Sequence, residues 1–94
     1  MKRWLKITVC GVVQGVGYCA YIKKYADQFH IEGTVQSEEQ GKILVYAVGA
    51  SDALDNFIDY LYQATAKAVV EELVIEIVPP VRDYRGVFRI ISGD

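Results

Sequence analysis

The stretch Gly11-Val12-Val13-Gln14-Gly15-Val16-Gly17-Tyr18-Cys19 decides how this chain folds, because it joins two segments of different periodicity. Before it, Leu5, Ile7 and Val9 alternate with Lys6, Thr8 and Cys10, the period-two pattern of a strand with one face against a core. After it, Tyr18, Ile22, Tyr25, Ala26 and Phe29 recur at helical spacing, with Lys23, Lys24, Asp27 and Gln28 off that stripe. The strand ends near Gly11, and the stretch is thus a strand-to-helix connection. Gly15 and Gly17 accept positive φ without steric cost, so main-chain N–H groups can converge beside a helix N-terminus, where the dipole favours negative charge. Such a loop suits a phosphate. The plainer reading of the same residues is a tight turn that needs its glycines for backbone geometry alone.

Working outward, His30 and Gly33 mark the end of the first helix, and Thr34-Val35-Gln36 reads as a second strand. Glu38-Glu39-Gln40-Gly41 is a hairpin turn into a third strand, Lys42 to Val48. There Ile43, Val45 and Ala47 alternate with Leu44, Tyr46 and Val48, so both faces are apolar and the strand is predicted to be central. Ser51 is placed as the N-cap of a second helix and Asp52 as its dipole complement. Leu54, Phe57, Ile58, Leu61 and Ala64 form that helix's buried stripe, with Asp55, Asn56, Asp59 and Gln63 outside it and an end near Ala66. Val69 to Val78 reads as a β-branched strand stopped by Pro79-Pro80, and Val87 to Ile91 as a last strand after the turn at Asp83-Tyr84-Arg85-Gly86. The order βαββαβ, followed by Val87 to Ile91 as a fifth strand, with right-handed crossovers predicts an α+β, ferredoxin-like sandwich: a mostly antiparallel sheet with two helices on one face.

With 94 residues, 52% of them hydrophobic, the chain is long enough for one modest core, and a single domain over residues 1–94 is the expectation. A net charge of −2 gives no basic surplus for a phosphate backbone, which argues against nucleic acid as a partner. Met1-Lys2-Arg3-Trp4 is not followed by an apolar run of leader length, and no stretch approaches the roughly 18 apolar residues of a membrane span. A cytoplasmic monomer is expected, with no membrane contact. Its two cysteines, Cys10 and Cys19, are then reduced thiols, because a reducing compartment disfavours a disulfide across the loop.

The quoted stretch resembles the signature of the acylphosphatases, Gly-x-Val-Gln-Gly-Val-x-Phe/Tyr-Arg, with Cys19 where the family has arginine. A second family motif, Gly-x-x-x-Asn, appears as Gly33-Thr34-Val35-Gln36-Ser37, with Ser37 in place of asparagine. The spacing between the two positions is the family's own, and the resemblance runs to Phe88-Arg89-Ile90. It implies the same βαββαβ fold. It also implies hydrolysis of the carboxyl-phosphate bond of small acyl phosphates, with loop amides and the arginine holding the phosphoryl group and the asparagine orienting water. No cofactor and no metal enter that chemistry. By this resemblance Val13, Gln14, Gly15, Val16, Gly17 and Tyr18 form the anion-binding loop, and Cys19 and Ser37 occupy the catalytic positions. A thiol offers one weak donor where a guanidinium offers a fixed charge and a fork, so hydrolysis is predicted to be weak or absent while acyl phosphate, phosphate or sulfate still binds. The alternative is a non-catalytic anion- or protein-binding domain.

The other polar residues have bland readings. Lys23, Lys24 and Arg3 are candidate replacements for the arginine but read as solvated charges, as do Arg82, Arg85 and Arg89. His30 reads as a helix-end residue, and Cys19 as a small, half-buried thiol rather than a nucleophile. Glu38 and Glu39 place negative charge near the loop, against anion binding. The tyrosines of the first helix read as core residues with wet hydroxyls.

Overall fold

Strand β1 (Lys2–Val12) leads into helix α1 (Tyr18–Gln28), strand β2 (Glu32–Ser37), a 3-10 turn (Glu39–Gly41) and strand β3 (Ile43–Ala50). Helix α2 (Ser51–Gln63) and strands β4 (Val69–Ile77) and β5 (Phe88–Ser92) complete the order. The computed structural model describes residues 2–15, 17–64, 67–80 and 83–92. Five strands form one sheet in the order β4-β1-β3-β2-β5, antiparallel except for β5, which lies parallel to β2. The strand with apolar residues on both faces, β3, is the middle one, as its pattern predicts.

The alternation along β1 divides the sheet into two faces. Leu5, Ile7 and Val9 join Val35, Ile43, Val45 and Ala47 in the core, covered by Tyr18, Cys19, Ile22 and Ala26 of α1 and by Leu54, Phe57 and Leu61 of α2. Each fully buried aliphatic or aromatic side chain contributes about 1.5–3 kcal/mol, so both helices are held to this one face. Trp4, Lys6, Thr8 and Cys10 lie on the opposite, open face, half-buried.

Several boundaries differ from those predicted, each for a physical reason. Gly11 does not end β1: the register against β4 shifts between Cys10 and Gly11, and the strand continues through this bulge to Val12. Gly11 has φ +141, and a Cβ there would lie 2.1 Å from the Val69 carbonyl oxygen, so the position admits only glycine. Ser51 is not the N-cap of α2. Because β3 runs straight into the helix, Ala50 takes the extended cap conformation (φ −64, ψ 149) and Ser51 is already helical, with Asp52 in the first turn as expected. The helix ends at Gln63, three residues before Ala66, which lies outside the described residues. Arg82 also lies outside them, while Arg85 and Arg89 are exposed, as read.

The hydroxyls of Tyr18 and Tyr21 are not left to water. Tyr18 is fully buried and donates to the Leu61 carbonyl at 2.8 Å, and Tyr21 donates to the Tyr60 carbonyl at 2.6 Å, so α1 is fastened to the end of α2. Tyr25 stacks on Tyr60 with ring centroids 4.2 Å apart, closing the seam between the helices. Burial, reinforced by Tyr21 and Cys19, holds the Tyr18 phenol well above its ordinary value of 10.0, and burial with Tyr25 and Tyr60 raises Tyr21 as well. A raised folded-state pKa contributes stability that is complete below the unfolded value of about 10 and is lost as pH rises toward the folded one. Urea midpoints are therefore expected to fall above pH ~10. Tyr18→Phe is expected to lose about 1 kcal/mol at pH 7, for the missing hydrogen bond, and to flatten that alkaline fall. An unchanged alkaline slope in Tyr18→Phe would remove Tyr18 as its source.

Candidate active site

The site lies at the end of the sheet where β1 gives way to α1. Val9, Ile43 and Ser37 stand opposite one another across β1, β3 and β2, so Ser37, the last residue of β2, sits in the row from which β1 runs toward the loop. It shares the helix-covered face with Val35 and is itself half-buried. Beyond Val12 the chain turns inward at Val13, 1% exposed, then outward at Gln14 and Gly15. The Gln14 carboxamide donates to two main-chain carbonyls of the β2–β3 hairpin, Glu38 at 2.7 Å and Lys42 at 2.9 Å. This brace ties the loop to the residue beside Ser37. It has no local sequence signal, because its ends are 24 and 28 residues apart.

Gly15 (φ +71) and Gly17 (φ +75) both occupy the left-handed region, as the loop reading requires. Gly17 is the N-cap of α1, no side chain caps the helix, and no carboxylate sits in its first turn. The first-turn N–H groups of a helix lack intrahelical partners, so this end carries main-chain donors and positive potential with no acid within the turn itself. Val16 lies outside the described residues. Val13 and Tyr18 bury their side chains in the core, and the Tyr18 hydroxyl is committed to Leu61, so only their main-chain groups face the loop's task. Cys19, 1% exposed, packs in the core and is not bonded to half-buried Cys10.

Two of the candidate cations are engaged within α1, and the third lies at the other end of β1. Lys23 pairs with Asp27 at 2.8 Å one turn along α1, and Lys24 lies over the Tyr25 ring at 5.4 Å. Arg3 pairs in register with Gly49, at the far end of β1. The acidic hairpin is also arranged differently from the expectation. Gln36 alternates onto the open face opposite Leu44, and its carboxamide holds the Glu38 carboxylate at 3.0 Å, which draws that charge to the open face. Glu38 then lines a shallow recess there with Thr8, Lys42 and Leu44. Exposed His30, at the end of α1, has φ +58 and its N–H on the Asp27 carbonyl.

The sequence matches the acylphosphatase family model over residues 5–90. The chain belongs to the acylphosphatase family. It is 32% identical over 76 residues to an acylphosphatase of Thermotoga petrophila, covering 81% of this chain and 84% of the relative. It is 36% identical over 73 residues to one of Syntrophus aciditrophicus, covering 78% and 75%. The crystal structure of acylphosphatase from Bacillus subtilis superposes with a TM-score of 0.90 over 97% of this chain and 99% of that one, at 24% identity, which shows the shared fold. The α+β sandwich predicted from strand and helix order is thus the acylphosphatase fold. The substrates of the family are small acyl phosphates. Among the described residues no helix is long and apolar enough to cross a membrane.

Proposed function

We propose that this acylphosphatase-family domain keeps an anion-binding loop at residues 13–18 and hydrolyses small acyl phosphates weakly or not at all. The observation that carries the proposal is the burial of Cys19: at the family's arginine position stands a short thiol, 1% exposed, that brings no charge to the loop. In-line attack of water on an acyl phosphate needs little from the protein except positioning and stabilisation of charge on the equatorial oxygens. The glycine-bearing loop and the uncapped N-terminus of α1 supply main-chain donors for those oxygens. The charge-neutralising fork is missing, and removing one preorganised donor from such a site costs about 10²–10³ in rate. Ser37 retains one hydroxyl to hold the water, with a shorter reach and one donor where a carboxamide has two.

Oxyanion binding survives this loss better than catalysis does, because ground-state binding draws on all the donors while the rate depends on those that tighten in the transition state. Where turnover is absent, the same loop makes the chain an anion-binding domain. Assayed on benzoyl phosphate beside the Thermotoga petrophila relative, this protein is expected to show kcat/KM lower by at least about 10². Equal values would overturn the proposal.

A further inference from the structure

We propose that the open face of the sheet carries a second ligand site, for a planar aromatic acid, at the end remote from the β1–α1 loop. A cavity of about 450 Å³ lies there, lined by Trp4, Lys6, Tyr46, Val48, Pro79 and Tyr84. Its floor is the β1–β3 pair, in which Trp4 faces Val48 and Lys6 faces Tyr46. Two pinned segments build its walls. The Val78 N–H donates to the Trp4 carbonyl at 3.0 Å and fixes the approach to Pro79. The turn carrying Tyr84 is held by the Arg85 N–H on Asp83 Oδ1 at 2.8 Å and the Val87 N–H on the Tyr84 carbonyl at 3.1 Å. Trp4 lies eight residues before Val12, about 26 Å along the strand, so this cavity and the phosphate loop are separate places.

The lining selects the ligand. A preformed cleft of this size, mostly apolar with few convergent polar groups, is the usual form of a small-molecule site. Half-buried Trp4, Tyr46 and Tyr84 offer ring faces and edges for a flat apolar body. Lys6 supplies the charge: its acidic neighbour, Glu76, is 3.9 Å away, and both side chains are partly exposed, so the ammonium keeps donors for an incoming acid group. The far side of the floor is basic too. Arg89, Thr34, Tyr46 and Lys6 occupy successive positions in one row across β5, β2, β3 and β1. Arg85 and Arg89 line an adjoining recess of about 250 Å³ that shares Tyr84 as a wall, and neither is in an ion pair among the described residues. Asp83 also lines that recess, with one carboxylate oxygen occupied by the Arg85 N–H. An apolar cradle with cations on both flanks fits a ring that bears a carboxylate or sulfonate.

Trp4 is the sole tryptophan, so its indole N–H gives one assignable NMR signal inside the cavity. Titration with 2-naphthoate is expected to shift that signal saturably, with a dissociation constant of about 1 mM or tighter, and to leave the amides of residues 13–15 unmoved. Inorganic phosphate is expected to leave the indole signal in place. Lys6→Met, which keeps the apolar stem, is expected to weaken 2-naphthoate about fivefold while leaving the uncharged analogue 2-naphthamide unaffected. An indole signal that stays fixed to the solubility limit overturns the site. Equal affinity for acid and amide in the unmodified protein, or an unchanged affinity in Lys6→Met, overturns the assignment of the acid group.

Discussion

Restoring the family's pair, Cys19→Arg with Ser37→Asn, is expected to raise kcat/KM for benzoyl phosphate about 10³-fold or more above the unmodified protein. The magnitude follows from what each change returns. Arginine brings a permanent charge and a bidentate fork to a site whose donors are otherwise neutral amides, and asparagine gives the attacking water a second point of attachment. The two act on one transition state, so each single variant is expected to recover much less than its share of the product. The gain has a structural cost. Cys19 packs against the core, and a guanidinium left there unpaired is strongly unfavourable, so the new side chain must run toward the loop and vacate thiol-sized space. A loss of about 1–3 kcal/mol in stability is expected to accompany the recovered rate. A rebuilt protein that folds and binds phosphate yet turns over no faster would show that something other than these two side chains limits the chemistry.

The largest stability effect is expected at Gly33, the glycine that opens the second motif. Its φ is +146, and a Cβ there would stand 1.8 Å from the Tyr46 carbonyl oxygen and 2.7 Å from its carbon. Those atoms belong to the central strand, in the pair that sets Gly33 opposite Ala47, so they cannot swing aside as a side-chain tip would. Gly33 also carries the junction to β5, its N–H bonding the Val87 carbonyl at 3.0 Å. Gly33→Ala therefore has to separate β2 from β3 or abandon a backbone conformation on which β5 depends. A cost of about 3–5 kcal/mol is expected, a large share of the 5–15 kcal/mol typical of such a domain, with a fall in Tm of more than about 10 °C. Gly17→Ala is the matched control: its φ is also positive, but nothing lies within 4 Å of the added methyl, so about 1 kcal/mol is expected. Similar losses in the two variants would mean that φ alone, and not the collision, sets the requirement for glycine.

What the sequence could disclose about this fold depended on how local the cause was. The alternation of Leu5, Ile7 and Val9, and the two apolar faces of β3, are enforced within single strands, and both appear in the structure where the pattern puts them. The placement of β5 beside β2 was invisible, because a parallel neighbour reached after half the chain leaves no trace in either strand. Ser51 looked like a cap because cap rules are local, yet the direct passage of β3 into α2 shifted the role to Ala50. Gly11 signalled a strand end by the same logic and proved to be a bulge, a distinction fixed by its contact with Val69 on β4.

The site divided in the same way. The left-handed conformations of Gly15 and Gly17 follow from residue type and were legible. The Gln14 brace and the commitment of the Tyr18 hydroxyl to Leu61 are contacts across 28 and 43 residues, and the turning of Glu38 to the open face, made by Gln36 two residues away, depends on which face of the sheet Gln36 occupies. Only the folded chain states them.

Titration of the unmodified protein with inorganic phosphate, followed through its amide NMR signals, tests the central claim most directly. Saturable shifts confined to the main-chain N–H groups of the loop and the first turn of α1, Gln14 to Cys19, are the predicted result. Amides there that stay fixed at high phosphate concentration would contradict it, and the loop would then be a turn and nothing more.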